Sequence, residues 1–384
     1  MTVIALVLGL MTCCFPVVTA EAGNKDPNLA SSTYKGPPVE TLVEGYAEYT
    51  AGRIDRAIQK YTQAIDSGVL VTPRDHAEAY MLRGDAFRVK HEYPPALKDF
   101  SEAIGLQPGR PRGYLKRGLA YRDAGQFASA ISDFSEAIRL KPDKGKSWGL
   151  RANTYFIMDD LSAALEDANQ AVKLAPTNPK ALTTRGRIYR ATGRNKRAIK
   201  DFSTAIEHDS KADYAYGNRG LSFFKSKRYQ DAVADFNRAI VLNPYRADYY
   251  ARRALTYARI GNQAKAISDA EDAIKREPMD PYLHFLHGRV LEEVGEPVKA
   301  EAEYSRAVSL SQQYAKAYCG RASALYAAGK PDLALKEVER GIAISPNDRF
   351  CTQVRERLVT GSGAAQELPL EDSVRGPGAI MSSE

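Results

Sequence analysis

Two short stretches of the sequence contain residue types that could do chemistry. His284 and His287 stand three positions apart, which places both imidazoles on one face of a helix, and Glu303 is expected close to them. Two imidazoles and a carboxylate are ligands that a zinc ion accepts. Ser222 and Lys225 match the short S-x-x-K pattern of some acyl enzymes. Whether either set forms a site depends on the elements that hold it.

A 34-residue repeat accounts for these residues. Large side chains stand four positions before and three positions after a recurring small residue, as Trp148 and Tyr155 do around Ala152, so all three share one helix face. His284 and His287 then occupy ordinary repeat positions, and we expect them to be core residues rather than metal ligands. The S-x-x-K match has the same explanation. The small residue recurs at Gly84, Gly118, Ala152, Gly186, Gly220, Ala254, Gly288 and Ala322.

Other catalytic patterns are missing from the sequence, which contains no phosphate-binding loop, zinc-protease helix or paired CxxC. We therefore predict a protein with no metal, no cofactor and no enzymatic activity. The 22 tyrosines interleave with basic residues, as they do in proteins that bind single-stranded nucleic acid. Most of these tyrosines fall on core positions of the repeat, so we predict no nucleic-acid partner.

Each repeat also contains a second predicted helix, built in the second repeat on Ala96, Phe100 and Ala103. A glycine such as Gly125 marks the turn between the two helices, and a proline such as Pro142 closes most second helices. Each repeat is thus predicted to be a helical hairpin. Alanine and glycine let its helices approach closely, and aromatic rings fill the space between them.

The pattern resembles the tetratricopeptide repeat (TPR) family, whose consensus has Trp, Leu-Gly, Tyr, Ala, Phe, Ala and Pro at these offsets. Trp148 matches the first position literally, and most other repeats have tyrosine there. The resemblance implies an all-α fold, a solenoid of helical hairpins wound into a right-handed superhelix. The sequence divides into a linker (21–37), nine repeats (38–71, 77–110, 111–144, 145–178, 179–212, 213–246, 247–280, 281–314 and 315–348), a capping helix (349–360) and a tail predicted to be disordered (361–384).

The first twenty residues are predicted to direct export. They are uncharged and largely apolar and end in Val18-Thr19-Ala20, which favours a signal peptide cleaved before Glu21. No basic residue precedes the apolar run, so an uncleaved membrane anchor is an alternative, and lipidation at Cys13 is another. We expect the chain in a bacterial periplasm or envelope, or anchored by this segment.

Two cysteines, Cys319 and Cys351, lie beyond the first twenty residues and fall in consecutive units. In an oxidising compartment they could pair. Two cysteines do not make a disulfide framework, however, and we favour the interpretation that both are small buried hydrophobic residues.

An arginine directly precedes the small residue in most repeats, and an acidic residue follows 16 positions after the arginine. The first repeat reverses both signs, with Glu44 and Lys60, which indicates that the two positions interact. We predict an ion pair between the two helices of each hairpin, in which the planar guanidinium grips the carboxylate through two hydrogen bonds. The predicted pairs of the other repeats include Arg83–Asp99, Arg117–Asp133, Arg151–Asp167, Arg185–Asp201, Arg219–Asp235 and Arg253–Asp269.

In arrays of this family the first helices line a concave face, so the resemblance implies a partner-binding groove. Its middle would be basic with some aromatic surface, which suits an acidic peptide or protein and agrees with the net charge of +7. A solvated face without a ligand is the alternative. In the third to sixth repeats the groove positions are Arg112, Arg122, Lys146, Asn153, Lys180, Arg187, Arg190, Phe224 and Lys225.

The sequence therefore favours an exported, non-enzymatic scaffold that holds an acidic protein partner in this groove. The alternative is an accessory subunit that binds substrate or glycan for a separately encoded envelope enzyme. Chaperone adaptors of this family clamp a terminal carboxylate with Lys, Asn and Arg from three consecutive repeats. That set does not occur here, where Asn153 and Arg187 are isolated matches.

Overall fold

A computed structural model describes residues 37–67 and 70–360 of the chain. These residues form nineteen α-helices and contain no β-strand. In chain order the helices are α1 (Pro37–Thr50), α2 (Ile54–Asp66), α3 (Pro73–Val89), α4 (Tyr93–Leu106), α5 (Pro111–Asp123), α6 (Phe127–Leu140), α7 (Gly145–Ile157), α8 (Leu161–Leu174), α9 (Pro179–Ala191), α10 (Asn195–His208), α11 (Asp213–Lys225), α12 (Tyr229–Leu242), α13 (Ala247–Arg259), α14 (Gln263–Arg276), α15 (Pro281–Glu293), α16 (Pro297–Leu310), α17 (Ala315–Ala327), α18 (Pro331–Ile344) and α19 (Arg349–Thr360).

The chain divides into two compact units, Met1–Pro142 and Asp143–Glu384. Helices α1 to α6 belong to the first unit, and helices α7 to α19 belong to the second. Consecutive helices pack in pairs, so that α1 and α2 form hairpin 1 and the numbering continues to α17 and α18 in hairpin 9. Helix α19 packs against both helices of hairpin 9.

A residue in the left-handed backbone region ends the first helix of every hairpin. Gly125 has a φ of +75°, and the amide of the next residue, Gln126, donates to the carbonyl of Tyr121 at 2.8 Å. Glycine adopts this conformation without a steric penalty. Hairpins 2, 4 and 6 have His91, Asp159 and Lys227 at the equivalent position, with φ near +60°. Each of these three side chains costs on the order of 1 kcal/mol relative to glycine.

Where the recurring small residue is glycine, it lies against an aromatic ring of the second helix. A Cβ atom added to Gly118 would stand 2.6 Å from Cε1 of Phe134, and one added to Gly186 would stand 2.6 Å from Cε1 of Phe202. Both rings are completely buried. Three hairpins have alanine instead, and there the residue 16 positions later is also smaller, at Ala168, Ala270 and Val338. The volumes of the two positions thus compensate each other, which explains why a small residue recurs with the 34-residue period.

The two cysteines form a disulfide bond, so the expectation that they are unpaired small hydrophobic residues is wrong. Cys319 on α17 and Cys351 on α19 are both completely buried, with their Cα atoms 5.2 Å apart. Gly341 of α18 lies against both sulfur atoms. Nothing in the sequence places the two thiols face to face, because their approach requires α19 to fold back onto α17. A bond closing a loop of this kind stabilises a protein by roughly 2–4 kcal/mol.

The structure brings the arginine and the acidic residue of each hairpin into contact. In hairpin 2, Nε and Nη2 of Arg83 lie 2.8 Å from the two carboxylate oxygens of Asp99. The same two-pronged contact joins Arg117–Asp133, Arg151–Asp167, Arg185–Asp201, Arg219–Asp235 and Arg253–Asp269. These aspartates are buried. Lys60 lies 2.6 Å from Glu44 in hairpin 1, and Arg321 pairs with Glu337 in hairpin 9.

The arginine has two further contacts that the repeat pattern did not predict. The third nitrogen of Arg219 donates to Ser203 Oγ at 3.0 Å, and that of Arg253 donates to Asn237 Oδ1 at 2.6 Å, so each arginine also reaches the second helix of the preceding hairpin. Its guanidinium also lies near an aromatic ring of its own helix, as Arg151 does at 5.2 Å from the Trp148 ring. One side chain thus joins three elements.

Hairpin 8 has His287 at the position of the arginine, and His284 stands three residues before it. Nδ1 of His284 lies 2.7 Å from Glu303, its Nε2 lies 3.1 Å from the carbonyl of Pro278, and Nδ1 of His287 lies 3.5 Å from Glu303. Burial acts to lower the pKa of His284, but these bonds and the Glu303 charge together raise it. Burial likewise acts to raise the pKa of Glu303, whereas the two histidines lower it to about 2. The Glu303 carboxylate and the Pro278 carbonyl both accept a hydrogen bond from His284 only when both ring nitrogens carry a proton, as in the imidazolium form.

We expect the exchange of Arg185 and Asp201 to be less destabilising than either single reversal. Arg185→Asp or Asp201→Arg alone should cost about 2–3 kcal/mol, because each leaves two like charges facing each other between the helices. The double exchange should recover at least about 1 kcal/mol of the summed cost. Urea unfolding of the four proteins measures this coupling. The exposed pair Glu136–Arg139 is the control, and its exchange should change stability by less than about 0.5 kcal/mol. Simple additivity at Arg185 and Asp201 would show that the two residues do not interact.

We expect hairpin 8 to lose stability as the pH rises above 6.5, the ordinary pKa of histidine. The folded-state pKa of His284 lies above its ordinary value of 6.5, so its contribution is complete below that value and disappears as pH rises through the folded-state pKa. Amide hydrogen exchange of α15 and α16 between pH 6 and pH 8, corrected for the intrinsic exchange rate, measures the effect.

The doubly substituted protein His284→Tyr, His287→Arg is the control for this titration. It restores the residue types found at these positions in hairpin 7, Tyr250 and Arg253. Its protection in α15 and α16 should vary less with pH than that of the wild type. Equal pH dependence in the two proteins would assign the titration to other groups.

Candidate functional site

In the first unit, the predicted groove residues Arg112 and Arg122 contact neighbouring carboxylates. Arg112 donates to Glu78 on the first helix of the preceding hairpin, at 2.5 Å. Arg122 lies 3.1 Å from Asp123. Asp123 also accepts from Arg88 at 2.5 Å, so this part of the surface combines cations with paired acids.

In the second unit, two predicted groove residues contact each other between hairpins 4 and 5. Nη1 of Arg187 lies 3.3 Å from Oδ1 of Asn153, and the guanidinium lies 5.0 Å from the ring centre of Phe156. Arg187 is 8% exposed and Asn153 is 5% exposed. Both side chains therefore lie at the junction of two first helices and have few atoms left to offer a partner.

Arg190 contacts hairpin 6, and Phe224 is covered within hairpin 6. Arg190 is 4% exposed and donates to the side-chain oxygen of Asn218 at 2.8 Å and to its carbonyl at 3.1 Å. Phe224 is buried and packs edge-on against Tyr229, with ring centres 5.3 Å apart. The repeat register predicts which helix face a residue occupies. It does not predict how far that face is covered by the next hairpin.

Three predicted groove lysines remain at the surface of the same helices. Lys146 on α7 and Lys180 on α9 are exposed, and Lys225 on α11 is half-buried. Lys146 and Lys180 stand 34 residues apart, at the same position of neighbouring hairpins. We use the name first-helix surface for the face of α7, α9 and α11 that carries these three lysines. Ammonium groups at a surface attract carboxylates.

Neither the S-x-x-K residues nor the histidine pair singled out in the sequence forms a catalytic or metal site. Ser222 is completely buried, and its hydroxyl donates to the carbonyl of Asn218 at 3.2 Å, so it is not accessible as a nucleophile. Within residues 37–67 and 70–360, no group of three or more His, Cys, Asp or Glu side chains could hold a metal ion. His284, His287 and Glu303 instead form the ion pair of hairpin 8 described above.

The C-terminal hairpins contain a buried polar contact that the repeat pattern did not identify. The hydroxyl of Tyr304 donates to Glu292 at 2.5 Å, and withdrawal from water raises the pKa of this carboxyl. Arg289 is 3% exposed and lies 5.4 Å from the ring centre of Phe350 on α19. Tyrosine at 304, where four repeats have phenylalanine, is the feature of the sequence that could have indicated this contact. These contacts fill the first-helix face of hairpin 8 with the protein's own side chains.

Among the helices of the described residues, none combines the length and the apolar character needed to cross a membrane. The first twenty residues, to which the sequence assigns a signal peptide or an anchor, lie outside the described residues. The tail at 361–384 also lies outside them.

Comparisons with known proteins agree with the repeat pattern and the hairpins. A family model for the tetratricopeptide repeat matches residues 42–111, 115–179, 183–247 and 251–317, whereas no curated protein matches the sequence. A tetratricopeptide repeat protein from Parabacteroides merdae is similar in structure over 65% of this chain and 98% of its own, with a TM-score of 0.55 and 18% identity. A chain of the APC/C heterotetramer Cut9–Hcn1 is similar over 84% of this chain and 76% of its own, with a TM-score of 0.55 and 14% identity. Because the family model matches more than half of the chain, this protein belongs to the tetratricopeptide repeat family.

Proposed function

We propose that this protein is an exported scaffold that holds an acidic protein or peptide partner on the first-helix surface of hairpins 4 to 6. TPR arrays generally bind proteins or peptides and are generally non-catalytic, and no catalytic family matches this chain. The observation that carries the acidic partner is the presence of Lys146, Lys180 and Lys225 at the surface of α7, α9 and α11. Complementary charge on a partner increases the association rate and the specificity of binding.

Arg187 and Arg190 hold together the helices that carry the lysines, since their contacts include amide or carbonyl oxygens and aromatic rings of neighbouring helices. On the adjoining hairpin 7, Asp248 pairs with Arg252 at 2.7 Å, so this acidic residue adds little net negative charge.

Two observations support export. Residues 1–20 are uncharged and apolar and end in the small-residue pattern Val18-Thr19-Ala20. The Cys319–Cys351 disulfide is of a kind that persists in oxidising compartments and is rare in the cytosol. A bacterial envelope or periplasm is the location we propose.

Reversal of the exposed charges should abolish partner capture. We expect Lys146→Glu, Lys180→Glu to lose an acidic protein that the wild type retains, because two attractive charges become repulsive. The measurement is crosslinking of the tagged chain in envelope extract of its own host, followed by mass spectrometry. These lysines are better test positions than Arg187 and Arg190, whose substitution would disturb the packing of neighbouring hairpins.

The matched control is Lys173→Glu, Lys336→Glu, which makes the same change of charge at exposed second-helix positions. Circular dichroism must first show that both variants fold. Capture of one acidic partner by the wild type and the control, but not by the Lys146, Lys180 variant, would support the proposal. Identical partners for all three proteins would exclude the first-helix surface as the binding site.

Export predicts the covalent form of the mature protein. We expect an intact mass that begins at Glu21 and is two hydrogens lower than that of the dithiol form, because Cys319 and Cys351 are joined. Mass spectrometry of the protein isolated from a bacterial periplasm, with and without reduction, measures both changes. A chain that retains Met1 and stays in the cytoplasmic fraction would contradict export.

A further inference from the structure

The turns of hairpins 5 and 6 carry a group of exposed cations outside the first-helix surface. We use the name turn patch for Arg194, Lys196, Arg197, Lys200, Lys227 and Arg228, all of which are exposed. Residues 193–197 and Ser226 line an open depression between the two turns. Six cations on two neighbouring turns create a strong local positive potential.

Few carboxylates neutralise the turn patch. Arg228 pairs with Asp231 at 2.7 Å. Among the described residues, no carboxylate forms an ion pair with Arg194, Lys196 or Lys200. Arg194, Lys196 and Lys200 therefore present uncompensated positive charge to solvent.

The dipole of helix α10 adds to the positive potential of the turn patch. Arg194 is the N-cap residue of α10, and Lys196 and Arg197 lie in the first turn, which contains no acidic residue. Cations at a helix N-terminus oppose the helix dipole, and this arrangement is unfavourable without an anion nearby. A bound carboxylate would compensate both the side chains and the helix terminus.

Two guanidinium groups of the turn patch are held in place by aromatic rings. Arg228 lies 4.4 Å from the ring centre of Phe223, and Arg197 lies 5.8 Å from that of Tyr189. Stacking of this kind restricts the side chain and leaves its hydrogen-bond donors at the edge of the planar group. Nε of Arg228 already donates to Asp231, so Arg197 is the guanidinium whose donors can bind an added carboxylate through two parallel hydrogen bonds.

The neighbouring turn limits the size of the partner. In hairpin 4, Asp160 and Glu166 stand at the positions of Arg194 and Lys200, and Asp159 precedes them. A broad anionic surface such as a membrane would meet these carboxylates together with the turn patch and would be repelled. A narrow peptide segment contacts hairpins 5 and 6 alone.

We propose that the turn patch is a second docking surface, which binds an extended acidic segment of the partner protein. Turns of neighbouring hairpins lie on the order of 10 Å apart, the packing distance of helices. An extended chain advances about 3.3 Å per residue, so carboxylates spaced about three residues apart match the two turns. The inference rests on the proposed function only in that the partner is an acidic polypeptide.

The test uses two fluorescent twelve-residue peptides of equal composition and charge. One repeats Asp-Ser-Gly four times, and the other has its four aspartates in a row. Fluorescence anisotropy with the full chain should show tighter binding of the spaced peptide, and the affinity should fall as salt screens the charges. Lys196→Glu, Arg197→Glu should weaken binding of the spaced peptide at least about tenfold. The control Lys173→Glu, Lys336→Glu should stay within about twofold of the wild type.

The possible outcomes separate this inference from the proposed function. Equal peptide binding by the wild type and the Lys196, Arg197 variant overturns the turn patch. Loss of peptide binding only in the Lys146, Lys180 variant assigns the acidic segment to the first-helix surface, and the proposed function stands. Absence of peptide binding by the wild type overturns the inference, while partner capture still tests the proposed function. Binding of phosphatidylglycerol vesicles through the patch, without peptide binding, overturns it in favour of a membrane.

Discussion

The close approach of the two helices at a small residue of the first helix is the constraint on which the hairpins depend. Gly118 and Phe134 show its geometry, since a Cβ atom at 118 would overlap the ring. The close approach brings Arg117 within reach of Asp133 at two donor–acceptor distances of 2.8 and 2.9 Å. A larger residue at 118 would separate the helices and with them the ion pair. The packing of the two helices therefore sets the distance between them, and the ion pair forms at that distance.

The repeated arginine acts within its hairpin, through the ion pair, and between hairpins, through a further hydrogen bond. Asp201 is buried, so the pair offsets the desolvation of its own members and adds little stability by itself. Its two-pronged geometry restricts the helices to one relative position. Contacts such as Arg219 to Ser203 then connect this position to the preceding hairpin. In hairpin 8, His284 and His287 contact Glu303 instead, and the raised pKa of His284 predicts that this contact depends on pH.

The cations of α7 and α9 differ in their exposure to solvent. Arg187 and Arg190 are covered by their neighbours, whereas Lys146 and Lys180 are exposed. The cations on the turns of hairpins 5 and 6 are separate from both, and acidic residues of hairpin 4 bound them on one side. Such alternation of sign along the edge of an array favours a partner that is narrow and specific in its placement.

The sequence alone determined the repeat, the hairpins and the pairing of Arg with Asp, because each follows from short-range periodicity and from comparison of nine copies within one chain. Family membership follows from the same pattern. Only the tertiary structure decided that Arg187, Arg190 and Phe224 are covered, and that Cys319 and Cys351 are joined. Both depend on how closely one hairpin lies on the next and on how α19 folds back. Those distances are set by side-chain packing between elements, which a 34-residue period does not encode.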